Sequence, residues 1–155
     1  MPTYQGQFVP GQVLNAADLN AFTPYGSYQS SGNQLIPNVA FTNLNFAVYS
    51  GGSAPAGWVG AGSGRITPSI AGYYLVTANV QMASSTGARS HISLVKNTVT
   101  TIASNDILSA VVGQGITAVM FFNGTTDFVS TTVYQQSGAA LNYTNYQLTV
   151  AMLWQ

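Results

Sequence analysis

The chain has no cysteine and no glutamate among its 155 residues, and its fixed charges are confined to Arg65, Arg89, Lys96, Asp18, Asp106 and Asp127. Without cysteine there are no disulfides, no thiol nucleophile and no thiolate metal ligands, and the redox compartment is left open. Charged residues make up 4% of the sequence, against about 25% in an ordinary soluble domain. The formal net charge is zero, which excludes the basic footprint that phosphate backbones select, so no nucleic-acid partner is expected. No apolar run is long enough to cross a bilayer and no basic-then-apolar leader pattern occurs, so membrane insertion is not expected. Catalysis is equally poorly provided for. His91 is the single histidine and the aspartates are isolated in sequence, so no nucleophile with its base, no carboxylate pair and no metal set is in view. The expectation is a protein that is not an enzyme, with no cofactor and no catalytic or metal-ligating residue.

What the chain does contain is apolar periodicity. Hydrophobic residues are 46% of the sequence, and with so little charge its surface must be uncharged polar or covered by partners. The organising stretch runs from Arg65 to Met82. From Tyr74 every second residue (Tyr74, Val76, Ala78, Val80, Met82) is apolar, the period of a strand with one face in a core. Further segments read as strands: Ile36–Phe46, whose irregular polar spacing suggests a bulge or two short strands, then His91–Lys96, the Thr/Val/Ile-rich Thr98–Ala103, a mixed Ile107–Val112, Ile116–Phe122, Asp127–Gln135 and Gln147–Trp154. His91 is expected to face outward, opposite Ile92 and Leu94, and Asn123-Gly124 is expected to turn a hairpin between Ile116 and Val133. About eight to ten short antiparallel strands separated by turn signals predict an all-β sandwich or jelly roll.

The order Thr67-Pro-Ser-Ile-Ala-Gly72-Tyr-Tyr74, then His91-Ile-Ser-Leu-Val-Lys-Asn97, then Ile116–Val133, then Leu148–Trp154 resembles the jelly roll shared by the globular head of complement component one-q and the tumour-necrosis-factor cytokines. The resemblance spans roughly residues 36–155 and implies fold and a homotrimer, not a ligand. The chain departs from the pattern at Asn123-Gly-Thr-Thr-Asp127, where the family's turn is shorter, and it shows no collagenous stem or membrane anchor.

A trimer also follows from the residues themselves. Tyr73 and Leu75, Val119 and Phe121, and Ala151 and Leu153 make three strands apolar on the second face as well. If those strands are neighbours, one sheet carries an apolar outer face too large to leave exposed on a soluble monomer. These six residues are the expected trimer interface.

The first residues differ in character. Phe8-Val9-Pro10-Gly11 is a turn signal; Asn15 is a good N-cap, and Asp18, Leu19 and Phe22 suit a helix of about two turns ended by Pro24 and Gly26, too short to stand alone. Ser27–Asn33 reads as a Ser/Gly/Gln/Asn linker. The expected division is an arm and linker over residues 1–34 and a jelly roll over 35–155. The string Phe8-Val-Pro-Gly-Gln-Val-Leu-Asn-Ala-Ala-Asp-Leu-Asn20 resembles the opening segments of bacteriophage tail-fibre and head-fibre proteins, whose N-terminus attaches to the virion. That resemblance implies a virion protein assembled in the host cytoplasm, with Phe8, Val9, Val13, Leu14, Leu19 and Phe22 as the attachment residues. Two readings follow. One is a capsid decoration, cement or head-fibre trimer gripping a capsid protein through the arm. The other is the tip of a tail fibre that binds a host-surface glycan or receptor, with Tyr134, Tyr143 and Tyr146 as surface contacts, since tyrosine supplies amphipathic contact area.

Overall fold

The computed structural model describes residues 24–30, 32–46, 48–52, 58, 64–84, 87 and 89–154. The helix expected over 15–22 and all of the attachment residues lie outside them. Within the described residues the chain forms β1 (Tyr25–Gln29), β2 (Gln34–Ile36), β3 (Thr42–Asn43), β4 (Val48–Gly52), β5 (Arg65–Ile66), β6 (Ala71–Met82), β7 (Ser90–Lys96), β8 (Thr100–Ile107), β9 (Gly113–Asn123), β10 (Val129–Gln135) and β11 (Leu141–Trp154). The first sheet has the order β4-β1-β11-β6-β9, with β2 also on β11; the second has the order β3-β10-β7-β8, with β5 also on β10. Every pairing between these strands is antiparallel. The two sheets face each other across one core, a jelly-roll sandwich.

The long strand β6 is central because its alternation is unbroken. Tyr74, Val76, Ala78, Val80 and Met82 are all buried, and they meet Leu148, Val150 and Met152 of β11 and Ile92, Leu94, Val129 and Val133 of the second sheet in a single cluster. Trp58 closes one end of that cluster. Its indole packs edge-on to Tyr74 at 5.6 Å between ring centroids and donates from Nε1 to Ser69 Oγ at 3.0 Å, so a large ring is buried with its polar atom satisfied. The Tyr74 hydroxyl likewise donates to the Ile70 carbonyl at 2.8 Å, and burial pushes its pKa up to about 12.

Two expectations are corrected here. Residues 27–33 are not a linker ahead of the domain: Tyr25–Gln29 is a strand inserted between β11 and β4. Pro24, Gly26 and Tyr28 face inward, and Tyr28 is 1% exposed. The polar residues at Ser27 and Gln29 fall on the alternate face, so composition hid a period of two. The jelly roll therefore begins by Pro24, whose carbonyl accepts from Met152 N–H at 3.0 Å, and not at residue 35. Second, Asn123-Gly-Thr-Thr-Asp127 does not turn a hairpin, because β9 pairs with β6 in one sheet and β10 with β7 in the other. It is a corner from sheet to sheet.

That corner is built on side chains. Asn123 Oδ1 accepts from the backbone N–H groups of Thr125, Thr126 and Asp127 at 2.9–3.0 Å. Gly124, with φ of 75°, would place a Cβ 2.5 Å from Ala71 N, which leaves the position to glycine. Asp127 accepts from Asn97 Nδ2 at 2.8 Å and from Asn123 N–H at 3.0 Å, and pairs with Lys96 Nζ at 2.8 Å. Replacing Asn123 by Ala orphans three donors, which water can only partly recover at this exposed site. A loss of about 1–2 kcal/mol is expected, read as a drop of several degrees in melting temperature with the oligomeric state unchanged.

Among the described residues, Arg89, His91 and Asp106 come together on the second sheet. Arg89 Nε donates to Asp106 Oδ1 at 2.9 Å, and the hydrogen bond from Arg89 holds the Asp106 carboxyl below the usual carboxylate range. His91 Nδ1 lies 3.9 Å from Asp106 Oδ2. Burial pushes the His91 pKa down, outweighing Asp106, which opposes the shift, and Arg89 adds to it. A lowered folded pKa means that the unfolded chain binds the proton first on acidification. Stability should therefore fall as pH drops through the ordinary histidine value of 6.5 towards the folded value. The depressed Asp127 pKa, caused first by the Lys96 hydrogen bond, adds a further loss only below the ordinary carboxylate range. Melting curves at pH 7.5 and 5.5 should separate for the native chain and superimpose for His91→Gln.

Candidate assembly surface

The outer face of the first sheet is graded along its strands. Register places Tyr25, Ala151, Leu75 and Val119 in one row across β1, β11, β6 and β9, and Trp154, Tyr73 and Phe121 in the next row. Tyr73 is 42% exposed, Val119 48%, Phe121 45% and Trp154 54%, so the rows stand open on the isolated chain. On the other side of the aliphatic row come Ser27, Thr149, Thr77 and Thr117, and beyond them Gln29, Gln147 and Asn79. Aromatic, aliphatic, hydroxyl and amide rows follow in that order.

The hydroxyl row is satisfied laterally. Thr77 Oγ1 and Thr117 Oγ1 are 3.0 Å apart, Ser27 Oγ and Thr149 Oγ1 3.3 Å, and Gln147 Nε2 donates to Ser27 Oγ at 2.7 Å. Polar side chains paired within the sheet can be covered at little desolvation cost. The nearest charge, Lys96, donates to the Phe121 carbonyl at 2.7 Å and is neutralised by Asp127. No ionisable carboxylate, lysine or arginine lies in these rows.

The rings are pre-arranged. Tyr73 stacks on Trp154 with centroids 5.1 Å apart and meets Phe121 edge-on at 5.3 Å. Strict alternation along β11 would put Trp154 on the same side as Leu148, Val150 and Met152. The structure turns it outward, because the register slips between Met152 and Trp154 and leaves Leu153 as the extra residue of a bulge. The expected set Tyr73, Leu75, Val119, Phe121 and Ala151 is brought together, Leu153 sits at its margin, 41% exposed, and Trp154 and Tyr25 are additions. The period-two pattern of Tyr25–Gln29 could have found the second; nothing in the sequence marks the bulge that delivers the first.

The three tyrosines expected to contact a surface ligand do not stand on the surface. Tyr143 is fully buried and Tyr146 is 4% exposed, on the inward face of β11; burial pushes the Tyr143 pKa up to about 12 and raises that of Tyr146. Tyr134 is 8% exposed and lies beneath Phe41, 5.1 Å between ring centroids, and Arg89, 5.2 Å above its ring. Polar neighbours in sequence suggested exposure, but their side chains occupy the alternate face. Among the described residues no three His, Asp or Glu side chains gather where a metal ion could sit.

Two antiparallel sheets in this order, with one apolar outer face, define a jelly roll of the complement-head and necrosis-factor kind. No protein-family model matches the chain, and no curated protein matches it. Among solved structures it is similar to the PRD1 vertex protein P5, at 17% identity and a TM-score of 0.63, over 86% of this chain and 99% of that one. It is also similar to murine APRIL, at 10% identity and a TM-score of 0.60, over 83% and 99% of the two chains. The globular domain of zebrafish complement 1qA matches at 14% identity and a TM-score of 0.55, over 84% and 96%. The likeness in each case is one of fold.

Proposed function

We propose that the chain is a structural virion protein of a bacteriophage, a homotrimeric capsid decoration, cement or head-fibre protein. Its jelly roll is displayed outside the particle, and the residues before Pro24 attach it to a capsid protein. The observation that carries the reading is the fold match to the PRD1 vertex protein P5 along 99% of that chain, in a chain whose opening string resembles those of bacteriophage fibre proteins. The trimer rests on the uncharged first-sheet face. A second copy is the occupant that suits it: the face pairs its own hydroxyls and presents aromatic and aliphatic rows without charge. Three copies round an axis close the assembly without leaving a free face.

Phe8, Val9, Val13, Leu14, Leu19 and Phe22 are the attachment residues in this proposal. Two measurements test it. Light scattering on the purified protein should report three chains, and electron microscopy of particles grown with and without the protein should show density lost from the capsid surface. A monomer would remove the first part of the proposal, and density lost only from the tail would remove the second.

A further inference from the structure

The second sheet carries a different surface on its outer side. Register aligns Asn43, Thr132, Ser93 and Ser104 in a row across β3, β10, β7 and β8. Every member of the row is small and polar, so the sheet surface dips between taller neighbours. The resulting groove has a volume of about 380 Å³, inside the ~300–1,000 Å³ usual for small-molecule sites. It is walled at one end by Phe41 and His91 and at the other by Thr98 and Val99 of the β7–β8 turn, and it is lined by no aspartate, glutamate, lysine or arginine.

Both walls are held in place. Phe41 is 63% exposed and yet fixed, edge-on to His91 at 5.3 Å and against Tyr134 at 5.1 Å between ring centroids. It offers an open ring face without the freedom to turn away. At the other wall Asn97 and Thr98 have φ of 55° and 62°. Asn97 tolerates that conformation, but a β-branched threonine there is a true outlier. The turn is anchored all the same, by Asn97 to Asp127 Oδ1 at 2.8 Å and to Phe128 N–H at 2.9 Å. Strain of this kind persists where the surroundings impose it and concentrates at binding sites.

The floor has spare hydrogen-bonding capacity. Ser93 and Ser130 reach backbone carbonyls only at 3.5 and 3.4 Å, and Thr132 Oγ1, which donates to Asn43 Oδ1 at 2.7 Å, keeps its capacity to accept. A hydroxyl can donate once and accept twice, so this floor can serve a ligand that both donates and accepts.

We propose that this groove is a binding site for a neutral carbohydrate, with Phe41 as the platform for the apolar face of a sugar ring and Asn43, Ser93, Ser104 and Thr132 as partners of its hydroxyls. The absence of lining charge selects against an anionic sugar. The groove lies on the opposite side of the sandwich from the assembly face. The proposal does not rest on virion attachment or on the oligomeric state, which light scattering reads separately.

Saturation-transfer NMR on the full chain tests it, with glucose, galactose, mannose, N-acetylglucosamine and N-acetylgalactosamine as neutral probes and sialic acid as the anionic one. At least one neutral sugar should take saturation on its ring C–H protons. Phe41→Ala and Ser104→Trp, both at exposed positions, should each reduce that transfer at least tenfold while the far-ultraviolet circular dichroism stays that of the native fold. No transfer to any neutral sugar, equal transfer in both variants, or stronger transfer to sialic acid would each overturn the assignment.

Discussion

Leu75→Asp and Phe121→Asp should each convert the trimer to monomers or prevent the chain from folding. Leu75 lies inside the first-sheet face between Ala151 and Val119, and Phe121 lies beside Tyr73 on the edge strand β9, where Lys96, the cation near its ring, is already paired with Asp127. A carboxylate covered there without a partner costs about 3–5 kcal/mol, and a three-fold assembly incurs it at every interface. The native gain is smaller per residue: each half-exposed side chain that becomes covered contributes on the order of 1 kcal/mol, so several rows are needed and one charge outweighs more than one of them. Val99→Asp is the control, since Val99 is 84% exposed and lies across the sandwich. Light scattering and urea melts read the outcome. A Leu75→Asp protein that still measures as three chains with native stability would place the subunit contact elsewhere.

How far the fold could be read from sequence varied with the physics of each element. β6 was legible because its alternation is unbroken and one face is wholly apolar. Five of the six residues expected at the assembly face stand together in register because strand period fixes which face a residue takes. Trp154 escaped because a one-residue bulge reverses the face of everything after it, and bulges leave no apolar signature. Tyr143 and Tyr146 were misplaced for the opposite reason. Their Asn and Gln neighbours signalled a loop, whereas the chain there is the start of a fourteen-residue strand whose polar residues occupy the other face. The Asn123 corner looks like a hairpin turn because Asn-Gly serves both purposes; only the partners of β9 and β10 decide between them. The groove on the second sheet was beyond reach altogether, since Asn43, Ser93, Ser104 and Thr132 come from four strands and are ordinary surface residues until register aligns them.

Removing residues 1–23 should leave a folded trimer that no longer binds the phage particle. The cut must stop there. Pro24 holds Met152 N–H through its carbonyl, and β1 fills the place between β4 and β11; deletion through Gln29 would strip β11 of a neighbour and expose its edge, so that variant should aggregate. In the shorter deletion the sandwich loses none of these contacts, and its melting temperature should match the full chain's. Binding, by contrast, should fall steeply. Each apolar arm side chain buried on docking contributes about 1.5–3 kcal/mol before the cost of ordering the arm. Three arms on one trimer act together, which raises overall avidity by about 10²–10⁴. Replacing Leu14, Leu19 and Phe22 together by Ser should reproduce the loss without shortening the chain, and restoring the three side chains should restore occupancy. Particles stripped of the protein and re-incubated with each variant give the measurement, read as occupancy on sedimented particles. If the 24–155 protein decorated them at native occupancy, attachment would belong to the jelly roll itself.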